Sequence, residues 1–147
     1  MLKRCSLVLV FLFAVPALPV FAQDGVQLGA KIPFPFIVEG KTFPSGEYQF
    51  WQLSANNDSD WQIRDVKQGG QNQAMFETEP TESPDPAQTT ALTFRKIGDH
   101  YYLADLWAAR GEWGWHVPVK LELKEMAKKT KAAFRKVPAT IVKPAAR

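Results

Sequence analysis

Residues 32–50 read IPFPFIVEGKTFPSGEYQF, and this stretch decides the fold class. Apolar side chains recur there at every second position, which is the spacing of a β-strand with one buried face; they are Ile32, Phe34, Phe36 and Val38. Pro33 and Pro35 lie between them and have no N–H to donate, so we expect an edge strand or a strand whose N–H side faces solvent. Residues 39–41 and 43–46 carry glycine and proline in positions typical of tight turns.

The same alternation continues along the chain. Five further short stretches alternate between apolar and polar residues, and turn residues separate them at the spacing of a β-meander. These stretches cover residues 47–53, 61–66, 73–78, 89–96 and 100–108. Residues 80–88 are polar and proline-rich, which predicts a loop. In the last strand the alternation predicts two faces: one with Tyr101, Leu103 and Trp107, the other with Tyr102, Ala104 and Leu106.

The period changes near residue 118. Apolar positions then recur at intervals of three or four residues, which predicts a basic amphipathic helix over residues 118–136; the positions are Val119, Leu123, Met126, Thr130 and Phe134. Pro138 is expected to end the helix, and residues 137–147 are expected to be disordered. The predicted fold is mainly β, with residues 23–117 forming an antiparallel sandwich or open barrel of six or seven strands, and with a C-terminal helix.

The first 22 residues have the three-part layout of a secretory signal peptide. Lys3 and Arg4 precede an apolar run over residues 7–20, and small residues occupy the −3 and −1 positions of a cut after Ala22. We therefore expect an exported bacterial protein, located in the periplasm or outside the cell. The alternative is an uncleaved anchor, but a spanning helix needs about 20 apolar residues, and this run is shorter and contains two prolines near its end.

Cleavage would change the composition of the chain. It leaves 125 residues, a length typical of one domain, and removes Cys5, the only cysteine. The mature chain would then contain no disulfide, cysteine nucleophile or cysteine metal ligand. Residues 23–117 carry seven basic and thirteen acidic residues, whereas residues 118–147 carry nine basic and two acidic ones. Such asymmetry indicates a basic end that contacts an anionic partner or folds against the acidic body.

Two blocks of the sequence carry a resemblance to a known family. Residues 32–48 resemble the pattern PF-x-F-x-V-x-x-K-x-L-P-A-G-x-Y, and residues 94–107, FRKIGDHYYLADLW, resemble F-x-x-x-G-D-x-Y-F-L-x-x-x-W. Both patterns occur, in this order, in small exported proteins that are common in Acidobacteria. The resemblance implies a secreted β-rich domain and supplies no catalytic residues. The tryptophan-rich residues 111–116 and the lysine-rich end depart from that family, whose members tend to be charged and polar in the corresponding region.

The sharpest candidate for a binding site is the run GEWGWH at residues 111–116. Tryptophan offers a large flat face and one hydrogen-bond donor, so Trp113 and Trp115 on a loop suit stacking on sugar rings or on an apolar partner surface. We include His116 and Trp107 in this candidate ligand site. The competing interpretation is that Trp113 and Trp115 fold back and cover the junction between the sheet and the helix.

The predicted helix supplies a second candidate. Its basic residues suit contact with an anionic surface; the candidates are Lys124, Lys128, Lys131 and Arg135. Helices of this kind more often dock their apolar stripe on their own domain and leave their charges in solvent. We expect no nucleic-acid partner, because the protein is predicted to be exported, and no membrane contact other than through the signal peptide before cleavage.

The sequence contains no recognisable catalytic constellation. His100 and His116 lack a metal-ligand spacing, the carboxylates are scattered singly, and no phosphate loop or Gly-x-Ser-x-Gly motif occurs. We therefore predict no catalytic residues, no metal site and no cofactor. The preferred function is a non-enzymatic exported β domain acting in binding or in envelope structure. The alternative is a polysaccharide-binding or carbohydrate-active accessory protein, and the expected partners are envelope polysaccharides or proteins.

Overall fold

The computed structural model describes residues 25–54, 57–83, 89–109, 113–130 and 133–142. The signal peptide predicted over residues 1–22 lies outside these ranges. The described residues form eleven strands and one helix: β1 Gln27–Ile32, β2 Phe36–Val38, β3 Lys41–Phe43, β4 Gly46–Ser54, β5 Asn57–Asp65, β6 Gln73–Glu77, β7 Glu79–Glu82, β8 Ala91–Ile97, β9 His100–Trp107, β10 Trp113–His116, α1 Leu121–Lys129 and β11 Ala133–Ile141. The mainly β class is confirmed.

The strands form one sheet that wraps into a nearly closed barrel. Its order is β3-β2-β9-β8-β11-β1-β4-β5-β6. The chain then runs from β6 into β7, which pairs with β10, and β10 pairs back onto β9. All of these pairings are antiparallel except the single contact of Ile37 in β2 with Tyr102 in β9. The path from β9 back to β9 therefore passes through the continuous segment 73–82, where the chain rather than strand pairing joins β6 to β7, and the barrel is nearly closed.

The structure has more strands than the six or seven predicted. Apart from β1 and β11, the additional ones are short or carry signals that argue against a strand. β3 has three residues, β7 contains Pro80 within the predicted loop, and β10 is the predicted tryptophan loop. β3 forms a hairpin with its sequence neighbour β2. β7 and β10 pair with each other across a long stretch of chain, which a local pattern does not report.

The opening stretch supplies the centre of the core, as its alternation predicts. Ile32, Phe34, Phe36 and Val38 are all buried, whereas the intervening Pro33 is exposed. Each of these side chains contributes about 2 kcal/mol by leaving water. The ring of Phe36 lies 5.0–5.4 Å from three other rings; they belong to Phe43, Tyr48 and Phe94. The interior of the barrel at this level is therefore filled by aromatic side chains.

The predicted helix over residues 118–136 is wrong in its second half, and the predicted disorder of residues 137–147 is wrong up to Ile141. The helix α1 covers only Leu121–Lys129, and Ala133–Ile141 form strand β11. β11 pairs with β8 up to Pro138 and with β1 from Ala139 onward. Backbone pairing on both sides and the burial of Val137 outweigh the local helical spacing. Residues 143–147 lie outside the described ranges.

Pro138 does not interrupt β11, because it lies where the strand changes partners. It is opposite Ala91, the first residue of β8, and the pairing with β1 begins one residue later, at Ala139 opposite Ala30. The N–H of Ala139 then donates to the carbonyl of Thr90 at 3.0 Å. A proline is tolerated at this position because β11 changes its pairing partner there, so the hydrogen bonds of the sheet require no N–H from Pro138.

Tyr48 provides a test of the packed core. Its hydroxyl donates to the carbonyl of Pro44 at 2.6 Å, and burial, with a smaller effect of the Asp65 carboxylate, raises the pKa of Tyr48 to about 12. An unfolded tyrosine titrates near pH 10. The contribution of Tyr48 to the free energy of unfolding is therefore complete below pH 10 and is lost as the pH rises to about 12.

The variant Tyr48→Phe removes both the hydrogen bond and the titration. We expect its free energy of unfolding to fall by about 1 kcal/mol at pH 7, and to depend less steeply on pH above 10 than that of the natural protein. Urea unfolding at pH 7 and pH 11 measures both effects, with the half-buried Tyr102→Phe as the control. An unchanged pH dependence in Tyr48→Phe would contradict the assignment.

Candidate binding face

The tryptophan-rich run forms a strand in its described part, not the predicted loop. Residues 113–116 are β10, which lies between β7 and β9 in the barrel wall. Side chains on a strand alternate between its two faces. Gly114 and His116 therefore share the outer face of the wall, and Trp115 points the other way. Residues 110–112 lie outside the described ranges.

Trp115 belongs to the core rather than to an open site. Its ring centroid lies 5.0 Å from that of Trp61 in an edge-to-face arrangement, and Trp61 is fully buried. Trp115 itself is half-buried and packs against the main apolar cluster. Trp113, at the start of β10, is 55% exposed. The two tryptophans, which are close in the sequence, thus differ in burial: Trp115 packs on the core and Trp113 is exposed.

Trp107 occupies the outer face, contrary to the predicted alternation. Leu103 and Leu106 are both buried, so Trp107 does not share a face with Leu103. The cause is a β-bulge in β9: Asp105 is opposite Thr93 and Leu103 is opposite Phe94, which leaves Ala104 as the extra residue. A bulge reverses the direction of every later side chain on its strand. Trp107 and Asp105 are consequently turned outward.

The indole of Trp107 lies across the wall of the barrel. One edge of the ring covers Gly114 in β10, so closely that a side chain at residue 114 would collide with Cε3 and Cζ3 of the indole. On the opposite edge, Nε1 donates to Oγ1 of Thr93 in β8 at 3.2 Å. A ring anchored on both neighbouring strands lies along the sheet. The side chain is half-buried, so part of its surface remains accessible to solvent.

A polar pair lies beside this ring. His116 and Asp105 are opposite each other on β10 and β9, one outward position along from Gly114 and Trp107. Nδ1 of His116 lies 2.7 Å from Oδ1 of Asp105, and the two side chains are 31% and 17% exposed. The pair therefore offers a carboxylate oxygen and an imidazole nitrogen next to the indole. We call Trp107, Gly114, Thr93, Asp105 and His116 the Trp107 face.

Sequence reasoning identified Trp107 and His116 but missed the rest of the Trp107 face. Asp105 is one of the carboxylates that the sequence shows as scattered singly, and Gly114 lies within the predicted loop at residues 111–116. Their roles depend on the register between β9 and β10, which no local pattern reveals. The one available sequence signal is Gly114, two residues before His116. A glycine within a strand often marks a close approach by another group.

The predicted basic residues lie on two different elements. Lys124 and Lys128 are exposed on α1, and Nζ of Lys128 lies 3.0 Å from a carboxylate oxygen of Glu125. Arg135 is on β11, where its guanidinium lies 4.5 Å from the ring centroid of Phe34. Lys131 lies outside the described ranges. The predicted single helical row is therefore divided between the helix and the strand that follows it.

The described ranges contain neither a metal-binding cluster nor a membrane-spanning helix. No group of three or more histidine and acidic side chains is close enough there to hold a metal ion. No helix in that part of the chain has the length and apolar character needed to cross a bilayer. No family model matches the chain, and neither a curated protein nor a solved structure matches it.

The contact between Gly114 and Trp107 gives a direct test of the site geometry. In Gly114→Ala the added methyl group would meet the indole and lie 2.9 Å from the carbonyl oxygen of Leu106. We expect the indole to be displaced and the free energy of unfolding to fall by about 1–3 kcal/mol, as in other overpacked sites. Urea unfolding and the near-ultraviolet circular dichroism of the tryptophans measure the two effects.

The matched control is Gly46→Ala, which is also in a strand. Its added methyl group would lie 3.5 Å from the nearest atom, Cε2 of Tyr48, which is an ordinary contact. We expect both signals to stay close to those of the natural protein. Equal effects of the two substitutions would show that Trp107 does not lie on Gly114.

Proposed function

We propose that the protein is an exported, non-enzymatic β domain that binds a saccharide on its Trp107 face. The observation that carries the proposal is the indole of Trp107, which is fixed to Gly114 on one edge and to Thr93 on the other. A flat aromatic ring held along a sheet can stack against the C–H face of a sugar without losing side-chain freedom on binding.

The polar pair supports a saccharide over a purely apolar ligand. A sugar ring presents hydroxyl groups at its edge, and these need donors and acceptors once they leave water. Asp105 and His116 lie one outward-facing position along the strands from Trp107 and Gly114, and both remain partly exposed. Pockets for small ligands combine an aromatic surface with a few such polar groups. The Trp107 face therefore favours binding over a purely structural role in the envelope.

Export is the second part of the proposal. It is supported by the three-part layout of residues 1–22 and by the resemblance of residues 32–48 and 94–107 to small exported proteins of Acidobacteria. Strand β1 begins at Gln27, five residues after the proposed cut, so cleavage after Ala22 removes no described strand. An exported domain meets polysaccharides of the cell envelope, which agrees with the ligand class proposed for the Trp107 face.

Calorimetric titration of the mature protein with soluble hexasaccharides tests the saccharide site. Linear β-linked chains of glucose and of N-acetylglucosamine are suitable probes. We expect saturable binding to at least one of them, and a loss of about 30-fold in affinity in Trp107→Ala, which is the effect of removing a central aromatic contact. Trp107→Phe retains a stacking surface and should lose less.

Trp113→Ala is the matched control for that titration. Trp113 is the more exposed of the two tryptophans but lies off the Trp107 face. We expect its removal to leave the affinity nearly unchanged. Absence of binding to both hexasaccharides, or a loss in Trp113→Ala that equals the loss in Trp107→Ala, would contradict the proposal.

Export is tested by expressing the full chain in a bacterial host and isolating the product from the periplasm or the medium. Mass spectrometry should give an N-terminus at Gln23, because the small residue at Ala22 suits signal peptidase. Ala22→Tyr should block this cleavage, whereas Gln23→Ser, one residue beyond the cut, should not. A product that begins at Met1 or Leu2 would show that the segment is retained.

A further inference from the structure

The helix α1 packs only loosely against the rest of the protein. None of its nine residues is buried. Leu123 and Ala127, one helical turn apart, are half-buried and mark the side that approaches the barrel. A cavity of about 80 Å³ remains there, lined by Ile37, Tyr102 and Leu123 among others. The expectation that the helix docks its apolar stripe on its own domain is therefore met only in part, at Leu123, whereas Met126 of the same stripe is exposed.

Large apolar side chains of this region face solvent instead. Leu121 is 74% exposed, Met126 is 51% exposed, and Phe134, at the start of β11, is 58% exposed. Single exposed apolar residues are common on protein surfaces. Here three occur within fourteen residues, two of them on the loosely packed helix and one on the strand that follows it. Such a concentration of exposed apolar side chains marks a site of interaction.

Positive charge surrounds this apolar patch. The basic residues are Lys120, Lys124, Lys128 and Lys129 around α1, Lys136 on β11, and Arg95 on the neighbouring β8; Lys136 and Arg95 lie on the same side of the sheet as Phe134. Among the described residues of α1 the acidic ones are Glu122 and Glu125, and Glu125 is paired with Lys128. The guanidinium of Arg95 lies 5.2 Å from the ring centroid of Phe134, so charge and apolar surface are in direct contact. We call α1 and these residues of β8 and β11 the basic face.

We propose that the basic face binds the surface of an anionic lipid bilayer. The combination of exposed apolar side chains and cations fits the boundary between headgroups and acyl chains, where apolar groups insert and lysines contact anionic headgroups. A purely acidic polymer would satisfy the lysines but would leave Leu121, Met126 and Phe134 in water. This contact is separate from the Trp107 face and does not depend on saccharide binding.

The expected mode of attachment follows from the size of the helix. Nine residues span roughly 13 Å, too short to cross a bilayer and long enough to lie along its surface. The contact is therefore peripheral and reversible, and it weakens as salt screens the cations. It needs no signal peptide, unlike the membrane contact expected from the sequence.

Sedimentation of the mature protein with vesicles tests the proposal. Vesicles of phosphatidylglycerol and phosphatidylcholine at a ratio of 3:7 (about one anionic lipid in three) are compared with pure phosphatidylcholine at 50 mM and 500 mM NaCl, roughly the range over which surface charge becomes screened. We expect binding to the anionic vesicles at low salt only. Each lysine lost should weaken binding about fivefold, so Lys124→Glu/Lys128→Glu should weaken it by at least 25-fold.

The apolar part of the contact is tested by Met126→Ser, which should weaken binding to anionic vesicles severalfold. Met75→Ser is the matched control, since Met75 is 64% exposed on β6, which is not adjacent to β8 or β11. It should bind as the natural protein does. Circular dichroism confirms that the variants are folded, and their exposed positions make this the expected result.

Three results would overturn the membrane proposal: no sedimentation with anionic vesicles at 50 mM salt, equal binding to pure phosphatidylcholine, or equal binding of Met126→Ser and the natural protein. The last result, together with tight binding to dextran sulfate, would assign the basic face to an acidic polymer. Trp107→Ala should bind vesicles normally, so failure of the saccharide proposal and failure of this one are distinguishable.

Discussion

The structure depends on the aromatic packing around Phe36. A barrel of this size leaves an interior that only side chains can fill. Phe36 sits in T-shaped contact with Tyr48 and Phe94 and stacks on Phe43. These rings come from β2, β3, β4 and β8, so one cluster connects strands that are distant along the wall. With the centre filled by rings, ligand contacts are left to the outer surface, and both proposed faces lie there.

Strand β11 limits the length of the helix α1. By inserting between β8 and β1 it completes the wall and buries Val137, and it removes residues 133–141 from any helix. The remaining α1 has nine residues, a length at which a helix depends on tertiary contacts for most of its stability. Leu123 and Ala127 supply such contacts only in part. The exposure of Leu121 and Met126 is thus a consequence of closing the barrel with the C-terminal strand.

Several elements could be predicted from the sequence because their signals are local. The alternation of residues 32–38 correctly predicts four buried side chains. The turn predicted between the alternations at residues 89–96 and 100–108 joins β8 to β9, with Gly98 at a φ of +61°. The strand β11 was missed, because its three-to-four-residue spacing resembles a helix while its stability comes from partners at Leu92 and Ala30. Strand pairing over such distances has no counterpart in a local pattern. The same holds for Gly114 and Trp107, which approach each other only in the observed register.

The bulge at Ala104 connects the two proposed faces. Without it, Tyr102 and Trp107 would lie on opposite faces of β9, because they are five residues apart and side chains alternate. With one extra residue, Tyr102 points outward below α1 and Trp107 points outward beside Asp105, while Leu103 and Leu106 both reach the core. The carbonyl of Ala104 accepts the N–H of Val117 at 2.7 Å, which ties the bulge to the segment between β10 and α1. A single irregularity in β9 therefore fixes the direction of the indole that we propose binds a saccharide, and it anchors the chain that leads into the helix that we propose contacts a membrane.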